Sequence, residues 1–388
     1  MKTSPATTRI LASVSCLCCV ALVLPGSARA SESSGKKGAP SKPVILWKGG
    51  TRIPSIDITP KGTLLVFAQH GGGDNHPNII EMRRSTDGGR TWSAAKALTA
   101  DKSGRANPSS IVDKKTGIVW VFWSDRTKGI YRLCYCCSRD DGLTWSKAQP
   151  LKIDDSLVVG LPSCNRGIQL STGRLLLPFT VPQPNSGRYR RRCPRTVYSD
   201  DGGKTWQLGK LPVPMSPWKH VGSSEYHCFE LADGRIYMNH RKGGSRLAAH
   251  SGDGGVSWSK PFNSGLRESK HCNGCHAGLV RLTHPKRDDK SRLLFSSTAP
   301  LGNEKDPAKF DRRNLTLFIS YDEGKTWKKL KSIWKDRAAY SNLIVLPDKT
   351  IGCIYETHKP SWQSVLFTRF RLEWLTDGKD KVKPATGN

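Results

Sequence analysis

The chain has 388 residues, 36% of them hydrophobic, with 62 Lys and Arg against 32 Asp and Glu, a formal net charge of +30 at pH 7. No apolar run reaches the about 18 residues that a membrane helix requires, and the scattered basic residues match no helix-turn-helix, RNP or zinc-finger spacing, so neither a membrane-spanning protein nor a nucleic-acid binder is expected. Such an excess of positive charge suits an anionic polysaccharide, a negatively charged cell surface or an acidic small ligand.

In chain order, residues 1–30 read as an export signal: Lys2 and Arg9, an apolar stretch from Ile10 to Leu24, and Ala28-Arg29-Ala30 as the cleavage site. A secreted or periplasmic location is the consequence, and losing the three basic residues of the leader lowers the charge from +30 to +27. Residues 31–42 form a Ser/Gly/Lys/Pro linker and 377–388 a charged tail, both expected to be mobile.

Between them, in 43–376, one phrase, S-x-D-x-G-x-[ST]-W, occurs five times, with its aspartates at Asp87, Asp140, Asp201, Asp253 and Asp322. The intervals of 53, 61, 52 and 69 residues are those of a four-stranded sheet repeated about an axis. Asp accepts backbone hydrogen bonds in tight turns and Gly supplies positive φ, so each phrase predicts a hairpin turn, with its Trp buried between sheets. Runs such as Thr63–Phe67, Ile118–Trp123, Arg174–Pro178 and Arg292–Ser296 predict strands. At roughly 50 to 55 residues per sheet, the domain is an all-β, six-bladed β-propeller. Its last strand, Ser364–Leu372, is expected to pair near Val44–Trp47 and close the ring, which removes exposed edges.

Nine cysteines follow the leader, an odd number, so at least one is unpaired within the chain. The cluster His271-Cys-Asn-Gly-Cys-His276 has ligand types that suit zinc but lacks a second pair at compatible spacing. A local disulfide or buried thiols are expected, with no metal and no cofactor.

The segments between the repeats are more specific: Thr51-Arg-Ile-Pro54, the Gly-rich His70–His76 loop containing Asp74, Ser223–Glu230 containing Glu225, Asn239-His-Arg241, Arg312–Thr316, Ala339-Tyr-Ser-Asn-Leu343, and Cys353-Ile-Tyr-Glu356. In this order around five Asp boxes, the chain resembles the exo-α-sialidases (neuraminidases) over almost all of its mature length. The resemblance implies three arginines, Arg52, Arg241 and Arg312, that grip the carboxylate of a sugar acid with fork-like donors. It implies Tyr340 as a neutral nucleophile that avoids repulsion by that carboxylate. Glu225 is implied as the base for Tyr340, with Glu230 as its competitor. Asp74 is implied as the acid for the leaving group, and Glu356 as the group that orients Arg52.

Three positions depart from the family pattern, one of them Ser224, which stands where the family often has Asn. Asn342 stands where the family has Asp, and Phe67-Ala-Gln-His70 stands where many members carry an acid and an arginine, so His70 is a candidate replacement contact to the substrate carboxylate. Asn107–Ser109, Trp123–Asp125 and Arg166–Leu170 resemble pocket-lining segments. The implied activity is hydrolysis of terminal α-linked sialic acids from glycoproteins, glycolipids or oligosaccharides, with retention, through a tyrosyl intermediate. Whether water or a second sugar resolves that intermediate is left open, as is the oligomeric state. Two alternatives stand beside this reading: a non-catalytic propeller lectin for anionic glycans, and a propeller hydrolase or lyase for another acidic polysaccharide.

Overall fold

The computed structural model describes Met1 and residues 38–384 apart from 73–77, 100–103, 128–129, 183–191, 213–224, 243, 268–273, 299–311 and 362. The chain divides into units 1–35 and 36–388, and the second holds every strand among the described residues. Beyond Met1, the expected leader lies outside the described residues, as does Asp74.

Six antiparallel blades account for nearly all of the described chain. The first runs Thr51–Ile58, Leu64–His70, Ile79–Ser85, Lys96–Ala97, and the second Gly104–Val112, Val119–Thr127, Ile130–Ser138, Gln149–Pro150. In the third, Leu161–Pro162 and Ile168–Gln169 both pair with Leu175–Pro182, followed by Arg192–Ser199 and Gln207–Leu208. The fourth comprises Tyr226–Glu230, Ile236–His240, Ser245–Ser251 and Phe262–Arg267. The fifth starts with Gly278–Thr283, Arg292–Thr298 and Arg313–Ser320. The long strand Lys328–Val345 links the last two blades: its first half is the outer edge beside Arg313–Ser320, and from Ala338 it pairs with Ile351–Thr357 as an inner strand. As expected, Val44–Trp47 pairs with Ser364–Phe370 and supplies the outer strand of the sixth blade.

Side-chain alternation explains why strands such as Leu64-Leu-Val-Phe-Ala68 are apolar throughout instead of amphipathic: both faces are buried. Leu64, Val66 and Ala68 pack on the sixth blade with Ile344, Ile354 and Phe367, whereas Leu65 and Phe67 pack on the second with Val119 and Val121. Four more apolar clusters join blades two to three, three to four, four to five and five to six. Six interfaces between six blades make a closed ring.

The five repeated phrases are the predicted turns. In the first, Asp87 accepts from the Thr91 amide at 3.0 Å and its hydroxyl at 2.6 Å, while Ser85 Oγ accepts from the Gly89 amide at 2.9 Å. The repeated geometry explains the glycine: Gly89 has φ +82°, and a Cβ there would stand 2.2 Å from Phe367 of the sixth blade. Gly203 does the same, with φ +89° and a Cβ 2.3 Å from Trp120. These boxes combine a left-handed turn with close approach of backbone to the neighbouring blade. Of the box tryptophans, Trp206 and Trp258 are buried as expected, but Trp92, Trp145 and Trp327 are not fully buried. Their indoles lie at the blade margins, Trp92 edge-on to Phe367 and Trp145 edge-on to Phe67.

Both ends of the domain differ from expectation. Ser41 donates its amide to the Arg369 carbonyl at 2.9 Å, so the end of the expected linker is docked. The charged tail is docked as far as residue 384: Asp380 is buried and bonds Arg292 at 2.7 Å, because the fully buried Arg292 guanidinium requires carboxylate partners. The predicted strand to Leu372 stops at Phe370, and a single helical turn, Leu372–Leu375, follows.

Candidate active site

The inner strands, Thr51–Ile58, Tyr226–Glu230, Gly278–Thr283 and the second half of Lys328–Val345 among them, all begin at one rim of the ring and end at the other. Glu225 immediately precedes the fourth inner strand, His276 lies two residues before the fifth, and Arg52 and Tyr340 are near the starts of the first and sixth. Arg241 and Glu356 come from the returning second strands of blades four and six, at the ends that reach this same rim.

The first blade enters through a strained residue. Ile53, β-branched, has φ +55°, and the ladder shifts register between Arg52 and Ser55. Glu356 holds this conformation: its Oε1 accepts from the Ile53 amide at 2.6 Å, while its Oε2 faces Nε and Nη2 of Arg52 at 3.4 Å. One buried carboxylate therefore fixes both the kink and the guanidinium that the kink releases from the sheet. Asn342 donates to the Pro54 carbonyl at 2.6 Å and the Cys164 carbonyl at 3.4 Å, tying blade six to blades one and three. An amide can donate these bonds and a carboxylate cannot, which gives the departure at this position a physical role.

Tyr340 is the centre of the site. Its ring is buried at 5% exposure, and the guanidinium carbons of Arg52, Arg312 and Arg241 stand 5.2, 5.4 and 6.0 Å from its centroid. The phenol donates a short hydrogen bond to Glu225 Oε1, and Arg241 Nη1 donates to the phenol oxygen at 3.1 Å and to Glu225 Oε2 at 2.6 Å. Burial would raise the Glu225 carboxyl, but the Arg241 charge and the hydrogen bonds from Tyr340 and Arg241 outweigh it and hold the group at about 2. Burial and the neighbouring Glu225 charge push the Tyr340 phenol well above its ordinary value. The resting pair is a carboxylate beside a neutral phenol, flanked by permanent cations.

Of the two acids considered as base, the geometry selects Glu225. Glu230, at the far end of the same five-residue strand, bonds the Ser171 hydroxyl at 2.6 Å and its amide at 2.8 Å near the opposite rim. His70 has its Nδ1 2.6 Å from Thr51 Oγ1, adjacent to the rung that carries Arg52. Of the segments expected to line the pocket, Asn107 donates to the Pro162 carbonyl at 3.1 Å and Asp125 lies 3.6 Å from Arg105, whereas Arg166–Leu170, with Arg166 3.6 Å from Asp57, lines a cavity at the opposite rim instead.

His276 is a site residue that sequence reasoning does not single out, noting it only as part of the His271–His276 cluster, for which no metal is expected. Its ring stacks on Tyr340 at 5.2 Å and 28°, and burial lowers its pKa to about 3, so it is a neutral plate against the phenol. Its position just before an inner strand, like that of Glu225, is the available signal. Cys275 beside it is buried, and burial pushes its thiol up to about 11. Cys134, Cys136, Cys137, Cys193, Cys228 and Cys353 are free thiols, and Cys272 lies outside the described residues. Among the described residues, no group of three or more His, Cys, Asp or Glu is placed to hold a metal.

A ring of six blades with a tyrosine–glutamate pair inside three arginines defines the class, and comparison with known proteins agrees. Residues 60–353 match the BNR repeat-like domain family. The sialidase of Micromonospora viridifaciens is 30% identical over 363 residues, covering 84% of this chain and 52% of that one. The sialidase of Bacteroides fragilis is 30% identical over 353 residues, covering 79% and 60%. The chain thus spans between half and two thirds of the length of these relatives. Among solved structures, Hadza microbial sialidase Hz136 superposes with a TM-score of 0.70 at 23% identity, covering 84% of this chain and 66% of that one. The Trypanosoma rangeli sialidase in complex with sialic acid gives 0.66 at 18% identity, with 87% and 60% covered. The chain belongs to the sialidase family of BNR-repeat proteins.

Proposed function

We propose that this protein is an exported exo-α-sialidase that hydrolyses terminal α-linked sialic acids with retention, through a covalent intermediate on Tyr340. The observation that carries this reading is the Tyr340–Glu225 hydrogen bond enclosed by Arg52, Arg241 and Arg312. A lectin has use for the arginines but none for a buried carboxylate aimed at a phenol.

In the proposed cycle the three guanidiniums bind the substrate carboxylate, which sits on the anomeric carbon. That added negative charge offsets Arg241, weakens its hold on Glu225 and makes Glu225 a stronger base than it is at rest. Tyr340 Oη attacks the anomeric carbon as its proton passes to Glu225, while Asp74 protonates the departing glycosidic oxygen. Because the resting pKa values of donor and acceptor lie far apart, proton transfer is concerted with bond formation, and nearby Arg241 and Arg312 stabilise the phenolate character that develops. Water then attacks the same carbon, giving a proton to Asp74, and Glu225 returns the proton to Tyr340. Two displacements give net retention.

Turnover of a fluorogenic α-sialoside, with the first-formed anomer of the released sugar followed by proton NMR, tests this. The α-anomer is expected first. Release of the β-anomer first would exclude the double displacement, and no release at all would favour the lectin or a different acidic glycan.

A further inference from the structure

The ring has a second opening. A cavity of about 770 Å³ lies at the rim where the inner strands end, opposite the starts that carry Arg52, Glu225 and Tyr340. Every blade contributes to its wall: Asp57 and Ile58, Lys114, Arg166 to Ser171, His227 to Gly234, Leu279 to His284 with Lys286 to Asp288, and Lys349. Its size is that of a small-molecule site.

The charges in this wall do not cancel. Six cations line it, Lys114, Arg166, Arg281, Lys286, Arg287 and Lys349, against the four carboxylates Asp57, Glu230, Asp233 and Asp288. Several are matched locally: Arg166 with Asp57 at 3.6 Å, Lys349 with Asp288 at 3.1 Å, and Arg281 with Glu323 at 2.7 Å. Asp233 pairs with Arg235 at 2.7 Å, outside the wall, and Glu230 is fixed by Ser171. Lys114, Lys286 and Arg287 have no carboxylate within ion-pair distance among the described residues, and with Glu230 set against them the wall keeps an excess of two positive charges.

We infer that this opening is an anion site for a doubly charged oxyanion, phosphate or sulfate, free or as a monoester, held between Lys114 and Arg287. Arg287 offers a planar fork to the oxygens, and Lys114 a point charge from another blade. Desolvation at the cavity mouth and the neighbouring Arg166 and Arg287 charges lower the Lys114 pKa, against the opposing pull of Asp57 and Glu230, although the residue as a whole is exposed. Apolar wall residues, Leu170, Phe229 and Leu282, leave room for the organic part of a monoester. The inference does not rest on the sialidase reading, because Lys114 and Arg287 lie near the rim opposite Tyr340.

Isothermal titration of the full chain with sodium phosphate, sodium sulfate and phenyl phosphate tests the inference at low ionic strength. Lys114→Gln and Arg287→Gln are each expected to raise the dissociation constant by about tenfold or more, and the double variant to abolish saturable binding. Lys114→Arg is expected to restore it, and thermal melts verify folding of each variant. Tighter binding of phenyl phosphate than of inorganic phosphate would identify a monoester as the ligand, and equal binding the free anion. Absence of saturable binding in the wild type, or binding unchanged in the double variant, overturns the proposal, the latter by placing the anion elsewhere, such as at the three arginines.

Discussion

Glu225→Gln preserves the shape of the base and removes its charge, so it isolates what the carboxylate contributes. In the folded protein this carboxyl lies at about 2, against an ordinary value of 4.5. At about 1.4 kcal/mol per pH unit, the gap corresponds to about 3 kcal/mol of stability. The folded pKa is the depressed one, so the contribution is fully present above pH 4.5 and is lost as pH falls through about 2, with about 2 kcal/mol of it gone by about pH 3. Urea unfolding followed by tryptophan fluorescence between about pH 7 and about pH 3 measures this for wild type and variant. Wild type is expected to exceed Glu225→Gln at neutral pH, where the variant leaves Arg241 without its carboxylate, and the difference is expected to narrow steadily below pH 4.5. A difference that stays constant across this range would refute the reasoning, because it would mean that Arg241 does not hold this carboxyl down. The same depressed value predicts that Glu225 is not the source of any acid limb in kcat/KM above about pH 3.

Arg312→Lys keeps the charge but removes the fork, and is expected to lower kcat/KM on a fluorogenic sialoside by about 10- to 100-fold; unchanged kinetics would remove Arg312 from carboxylate binding. Glu356→Gln loses the carboxylate facing Arg52 while its amide can still accept from Ile53, so KM is expected to rise more than kcat falls, measured by steady-state kinetics. Gly203→Ala puts a methyl 2.3 Å from Trp120 at φ +89°. A loss of about 2 kcal/mol or more is expected in urea unfolding, with the active site intact.

The ring is legible in the sequence because its signal is repetition: five turns that need Asp for backbone bonds and Gly for both positive φ and a blade's close approach. The strand ends are less so. Thr63 and Ile118 read as parts of strands that begin at Leu64 and Val119, and Leu372 as part of one that ends at Phe370. The docked tail is illegible, since Asp380 in a charged segment gives no hint that Arg292, buried 88 residues earlier, needs it. Arg52, Arg241, Arg312, Glu225, Tyr340 and Glu356 can be picked out only through resemblance, because residues up to 304 apart are joined by ring closure and not by local pattern. His276 is passed over for a related reason. Its sequence neighbours are metal-ligand types, and its stacking on Tyr340 depends on the approach of two inner strands.

Tyr340 as nucleophile is tested most directly by incubating the protein with a 2,3-difluorinated sialic acid, whose fluorines slow hydrolysis of a covalent intermediate, and mapping the adduct by peptide mass spectrometry. One glycosyl adduct is expected, on Tyr340 and absent from Tyr340→Phe, whose turnover of a fluorogenic sialoside falls by several orders of magnitude. An adduct on another residue, or a Tyr340→Phe protein that still turns over at the wild-type rate, would contradict the assignment.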